Sequence, residues 1–128
     1  MNNKLKISLL TIAAIALFYS CKKEGRGDHE SKSVTLNVTL SAGTVYELDL
    51  SKYGDADDLA TITTQAENFD VSEIYKSSVN GKYLYKYSVA AIPKTGFKGI
   101  DKVILKVSEP TGRPHCTETN ITINFTIQ

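Results

Sequence analysis

Four aspartates, three alternating tyrosines and one histidine-cysteine pair are the residues of this chain whose types and spacing could do chemistry. The loop Asp55-Ala56-Asp57-Asp58 offers three carboxylates within one turn, and Asp101 joins them if a sandwich brings the two loops to one end. Such a set could hold calcium, which takes about six to eight oxygen ligands. It is not an EF-hand: counting from Asp55 puts Ala60 where the sharp-turn glycine belongs and Ala66 where the bidentate glutamate belongs. The same aspartates could instead cap backbone amides in a solvated turn.

Tyr83, Tyr85 and Tyr87 share one face of a strand, and such a stripe could stack on sugar rings or on another protein. Leu84, Lys86 and Ser88 form the more polar opposite face, which puts the tyrosines in the core or at its margin. Three hydroxyls that each want a partner keep the exposed stripe, contacting a glycan or protein, as the second reading. His115 and Cys116 do not make a nucleophile and base, because neighbours in a strand point to opposite faces whereas those groups must converge within about 3 Å. The chain lacks Gly-x-Ser-x-Gly, Cys-x-x-Cys and His-Glu-x-x-His, and offers too few nitrogen and sulfur ligands for zinc. The expectation is a protein that is not an enzyme and needs no cofactor, calcium in the acidic loop excepted. With 15 basic and 14 acidic residues it carries no basic field for nucleic acid.

The elements that position these residues begin with a segment of another kind. Lys4 and Lys6 precede an apolar run from Ile7 to Tyr19, which fits the basic and hydrophobic regions of a signal peptide. About thirteen residues are too few to span a bilayer, which takes roughly 20. Leu17-Phe18-Tyr19-Ser20-Cys21 resembles the lipobox of bacterial lipoproteins in the looser form of some Gram-negative groups, where Lys-Lys often follows the cysteine as Lys22-Lys23 does here. Phe18 and Tyr19 stand where a leucine and a small residue are usual. The resemblance implies cleavage after Ser20, lipidation of Cys21, and a membrane partnership through acyl chains in the bacterial cell envelope, on the outer membrane. Several acyl chains anchor effectively for good, since each buried methylene contributes about 0.8 kcal/mol. Acylation of Cys21 also leaves Cys116 without a partner in its own chain, so the fold must stand without a disulfide.

Removing the first 20 of 128 residues leaves about 108, enough for one domain with one core. Residues 21–33, rich in charge and glycine and including His29, read as a flexible tether. From Val34 to Gln128 the apolar period is two, the mark of half-buried strands. The pattern predicts strands over Val34 to Leu40, Tyr46 to Leu50, Leu59 to Thr63, Val71 to Lys76, Lys82 to Val89, Val103 to Val107 and Ile121 to Ile127. Asn80-Gly81 predicts a two-residue type I′ turn closing a hairpin. About seven short strands in a hundred residues point to an all-β chain, a single antiparallel immunoglobulin-like sandwich without the tryptophan and cysteine pair of antibody domains.

Tyr87, Pro93, Gly96-Phe97-Lys98-Gly99-Ile100-Asp101 and the alternating Val103 to Val107 resemble the second half of bacterial cadherin-like and Ig-like repeats. Ile100 stands where threonine is usual, and Ser108 to Asn120 lacks the Asp-Gly-Asn-Gly type of turn. That resemblance implies adhesion, surface display or a spacer role. The expected function is therefore a noncatalytic envelope lipoprotein that binds a protein or glycan partner. The alternatives are a structural spacer or accessory subunit without ligand and a calcium-dependent adhesion module.

Overall fold

Where apolar and polar residues alternate, the chain forms strands. The computed structural model describes residues 29–55, 58–89, 97–110 and 116–128, with only the backbone at His29 and Cys116. The strands are β1 (His29–Leu40), β2 (Val45–Asp49), β3 (Leu59–Thr64), β4 (Phe69–Lys76), β5 (Tyr83–Val89), β6 (Gly99–Ser108) and β7 (Cys116–Ile127), with one turn of 3-10 helix over Leu50–Tyr53 after β2. They build a four-stranded sheet, β1-β7-β6-β3, and a three-stranded sheet, β2-β5-β4. The facing triplets β7-β6-β3 and β2-β5-β4 have the strand order of an immunoglobulin-like sandwich. Among the described residues no helix is long and apolar enough to cross a membrane.

The period-two pattern sets the core. Val103, Leu105 and Val107 of β6 and Ile121, Ile123, Phe125 and Ile127 of β7 meet Leu48, Tyr85, Tyr87 and Val89 of the second sheet. Each such side chain contributes about 1.5–3 kcal/mol when fully buried. Phe125 is the hinge pin: the ring of Tyr87 stacks on it at 3.9 Å and 8°, and that of Tyr46 meets its edge at 5.5 Å and 75°.

Three local expectations need correction. Strand β1 begins at His29, not Val34, so residues 29–33 of the expected tether lie in the sheet; each has a partner on β7, from Cys116 to Asn120, and the available backbone makes up for the missing apolar period. The β1-β7 pair is parallel within an otherwise antiparallel sandwich. Parallel neighbours need a long crossover, and here the whole domain between Leu40 and Cys116 supplies it. The β4-β5 hairpin closes with four residues rather than a two-residue turn over Asn80-Gly81. Ser77 N–H donates to Lys82 O at 2.8 Å and Gly81 N–H, at φ +69°, donates to Ser77 O at 2.9 Å. Core packing sets this register, with Ser72 opposite Tyr87 and Ile74 opposite Tyr85. A shift of two residues leaves every side chain on its own face, so the turn yields cheaply.

The sandwich has two dissimilar poles. One gathers the starts of β1, β3 and β7, the end of β6, the Leu50–Tyr53 turn and the β4-β5 hairpin; the other gathers the β1-β2 turn, the β3-β4 loop and the start of β6.

Candidate functional site

Asp101 follows from the same alternation as the core. It shares the inward face of β6 with Val103, Leu105 and Val107 and is only 4 % exposed. A carboxylate there needs donors, and the β3-β4 loop supplies them. Glu67 N–H donates to Oδ1 at 2.9 Å and Asn68 N–H to Oδ2 at 2.9 Å. Tyr87 Oη donates to Oδ2 at 2.8 Å, and Lys102 N–H to Oδ1 at 2.9 Å. Asp101 therefore ties β6, β5 and the β3-β4 loop together across the sandwich.

Tyr85 and Tyr87 are fully buried, which overturns the exposed stripe as a glycan or partner surface. Their hydroxyls find partners inside. Tyr85 Oη lies 2.7 Å from Ser72 Oγ, which donates to Gln65 Oε1. Tyr87 Oη also reaches Asn68 O at 3.2 Å. Burial pushes the Tyr85 hydroxyl up to about 12, with the charge of Asp101 adding to it. Burial, and then the bond to the Asp101 carboxylate, raises that of Tyr87 well above the ordinary tyrosine value. Tyr83 stays at the margin, half-buried, with Lys76 Nζ 5.5 Å from its ring centre.

The acidic set is not brought together either. Asp58 packs at the opposite pole from Asp101, beside Gly54 and Val107. The six steps along β6 from Asp101 to Val107 span roughly 20 Å at about 3.4 Å each. A cage that includes Asp101 is therefore excluded by topology, and among the described residues no group of three or more His, Cys, Asp or Glu is placed to hold a metal ion. Asp58 is buried, and its Oδ2 accepts from Asp55 N–H at 2.8 Å, the capping use of an aspartate in a turn. Asp57, Cys21 and His115 lie outside the described residues, as do Pro93 and Gly96 of the repeat-like motif.

Two open clefts flank this pole, of about 300 and 370 Å³, sharing Gly54, Asp55 and Asp58. One runs past Ser51 to Asn80, Lys82 and Tyr83; the other past Lys52 and Tyr53 to Lys32 and Thr117. Asp49 holds the first cleft's wall. Its Oδ1 accepts from Ser51 N–H at 3.0 Å and Ser51 Oγ at 2.6 Å, and its Oδ2 faces Lys82 Nζ at 3.4 Å. The Ser51 bonds, with Lys82 adding to them, hold its carboxyl below the usual range.

The role of Asp101 escaped the sequence reading, although one signal marked it: an acid in step with three apolar residues on one strand. Ser72 carries no such signal, because its parity on β4 also holds Asp70 and Lys76.

No protein-family model matches the chain, and no curated protein matches it. Among solved structures, a cysteine protease inhibitor from Entamoeba histolytica is similar, with a TM-score of 0.49 and 11 % identity, covering 78 % of this chain and 97 % of the inhibitor.

Proposed function

We propose that the chain is a noncatalytic lipoprotein of a bacterial cell envelope, anchored through Cys21 to the outer membrane, whose sandwich binds a protein partner. The observation that carries it is where strand structure begins. His29 enters β1 only eight residues after Cys21, so the folded domain sits at the end of a segment at most about 29 Å long. A rigid domain on so short a leash suits display at a membrane surface. The internal use of Asp101, Tyr85 and Tyr87 supports a noncatalytic role, since these side chains serve packing. Burial of the tyrosine stripe moves the balance from a glycan to a protein.

The test is expression of the full chain in a related host with wild-type Cys21 and with Cys21→Ala. Palmitate labelling and membrane fractionation should follow the cysteine, and crosslinking on intact cells should capture one protein reproducibly with the anchored form only. Unlabelled protein that fractionates as soluble would overturn the anchor. Correct lipidation with no captured protein would overturn the binding role in favour of a spacer.

A further inference from the structure

We propose that the open edge of β1 is the partner-binding surface and takes an extended segment of the partner protein as an added strand, an inference that rests on the binding role above. Among the described residues four strands lie at sheet edges: β1 and β3 in one sheet, β2 and β4 in the other. Three of them are blunted. Strand β2 is five residues long, β3 breaks register between Ile62 and Thr64, and β4 breaks it between Phe69 and Val71. Short strands and bulges are the devices by which sheets refuse further pairing. Strand β1 has neither: twelve residues run in unbroken register, without proline. Its charges, Glu30 and Lys32, lie near its start and pair with each other at 3.3 Å, leaving Ser33 to Leu40 uncharged.

The direction of the free backbone groups follows from one bond. Gln128 N–H donates to Leu40 O at 2.9 Å, so Leu40 turns its carbonyl toward β7. Alternation along the strand then turns the N–H and C=O groups of Ser31, Ser33, Thr35, Asn37 and Thr39 toward the open edge. Val34, Leu36 and Val38 form a half-buried inner row. Water can satisfy such a row at an exposed edge, but another strand replaces that water with a continuous ladder, and one with apolar residues at every second position would extend the inner row as well. The occupant is thus an extended, proline-free segment of alternating apolar and polar residues. A second copy of this chain fits poorly. A two-fold pair of identical edges runs its strands antiparallel, whereas copies tethered to one membrane at the same pole present β1 in the same direction.

The test uses the full-length chain in detergent and a displayed library of random peptides of about twelve residues. Selected peptides should alternate apolar and polar residues, and their binding should slow amide exchange at Ser33, Thr35 and Asn37. Thr35→Pro deletes an outward N–H and leaves the β7 ladder whole, so it should cut affinity about tenfold or more while Thr35→Ala does not. Ser33→Pro should repeat the result, and unchanged melting temperatures keep the fold out of the comparison. Peptides without alternation, or equal binding by the proline variants, would overturn the edge site. A wild-type dimer that Thr35→Pro returns to monomer would overturn it in favour of a second copy. A cellular partner captured equally well by Thr35→Pro would overturn the edge site and leave the binding role standing, whereas neither peptide nor partner would remove both.

Discussion

Replacing Asp101 should cost more than replacing any other charged residue at the far pole, because its carboxylate joins three separate segments. In Asp101→Ala, four donors lose their acceptor: the amides of Glu67, Asn68 and Lys102 and the hydroxyl of Tyr87. Glu67 is exposed and Asn68 half-exposed, so water can replace part of the loss there. Tyr87 is fully buried and keeps only the longer bond to Asn68 O. Counting two bonds to a charged group as fully lost, at about 1.5–3 kcal/mol each, gives about 3–6 kcal/mol. For a domain of this size each kcal/mol moves the midpoint by about 4–8 °C, so the melting temperature should fall by about 12 °C or more. Asp101→Asn keeps one acceptor and should lose about half as much, and Tyr87→Phe about 1–2 kcal/mol. A double-mutant cycle between the two positions, read by urea unfolding, should return a coupling of about 1 kcal/mol or more. A fall of under about 5 °C for Asp101→Ala would refute the lock.

Tyr85→Ser, which an exposed stripe would tolerate, should instead cost about 3–5 kcal/mol because it empties a fully buried site; retention of the wild-type melting temperature would return the ring to the surface. Tyr85 is neutral in the fold up to about pH 12 but ionises near 10 once unfolded, so its contribution is complete below pH 10 and lost as pH rises from there toward 12. Melting temperature should therefore be level across neutral pH and drop above 10, less steeply in Tyr87→Phe, whose own hydroxyl adds to the effect in the same direction. Gly54→Ala would set a Cβ 2.3 Å from Asp58 Oδ2 and 2.7 Å from Val107 Cγ1 and should destabilise by about 1–3 kcal/mol through overpacking alone, since its φ of −171° suits any residue. Gly43→Ala meets no atom within 4 Å but sits at φ +81°, so its cost of about 1–2 kcal/mol should come from backbone strain. Val107→Ala should offset part of the Gly54→Ala loss and none of the Gly43→Ala loss, and equal coupling of Val107→Ala to both variants would refute that separation.

Much of the fold was legible because strand structure writes itself into sequence at the shortest range. Val103, Leu105 and Val107, or Ile121, Ile123, Phe125 and Ile127, announce a half-buried strand with no knowledge of what lies opposite. The candidate sites were legible only as inventories. Tyr85 and Tyr87 had the composition of a binding stripe, yet the polar opposite face already put them in the core or at its margin; what the sequence could not supply was their partners, Phe125 of the facing sheet and Ser72 of the neighbouring strand. The hairpin turn failed for the same reason, since Asn80-Gly81 expresses a local preference that a register fixed elsewhere overrides.

By itself the sequence determined the class: an all-β domain of seven strands, the apolar centre of each though not its start, and which face of β6 and β7 turns inward, all consequences of a side-chain period of two. Only the tertiary structure decided which strands are neighbours, and with that every long-range question. It put Asp101 and Asp58 at opposite poles, made β1 a parallel partner of β7 from His29 onward, and among the described residues left one unblunted edge. The physical reason is that alternation specifies a face but not a partner. Pairing is settled by core packing and backbone bonds between segments as far apart as Leu40 and Gln128, and no local pattern encodes those.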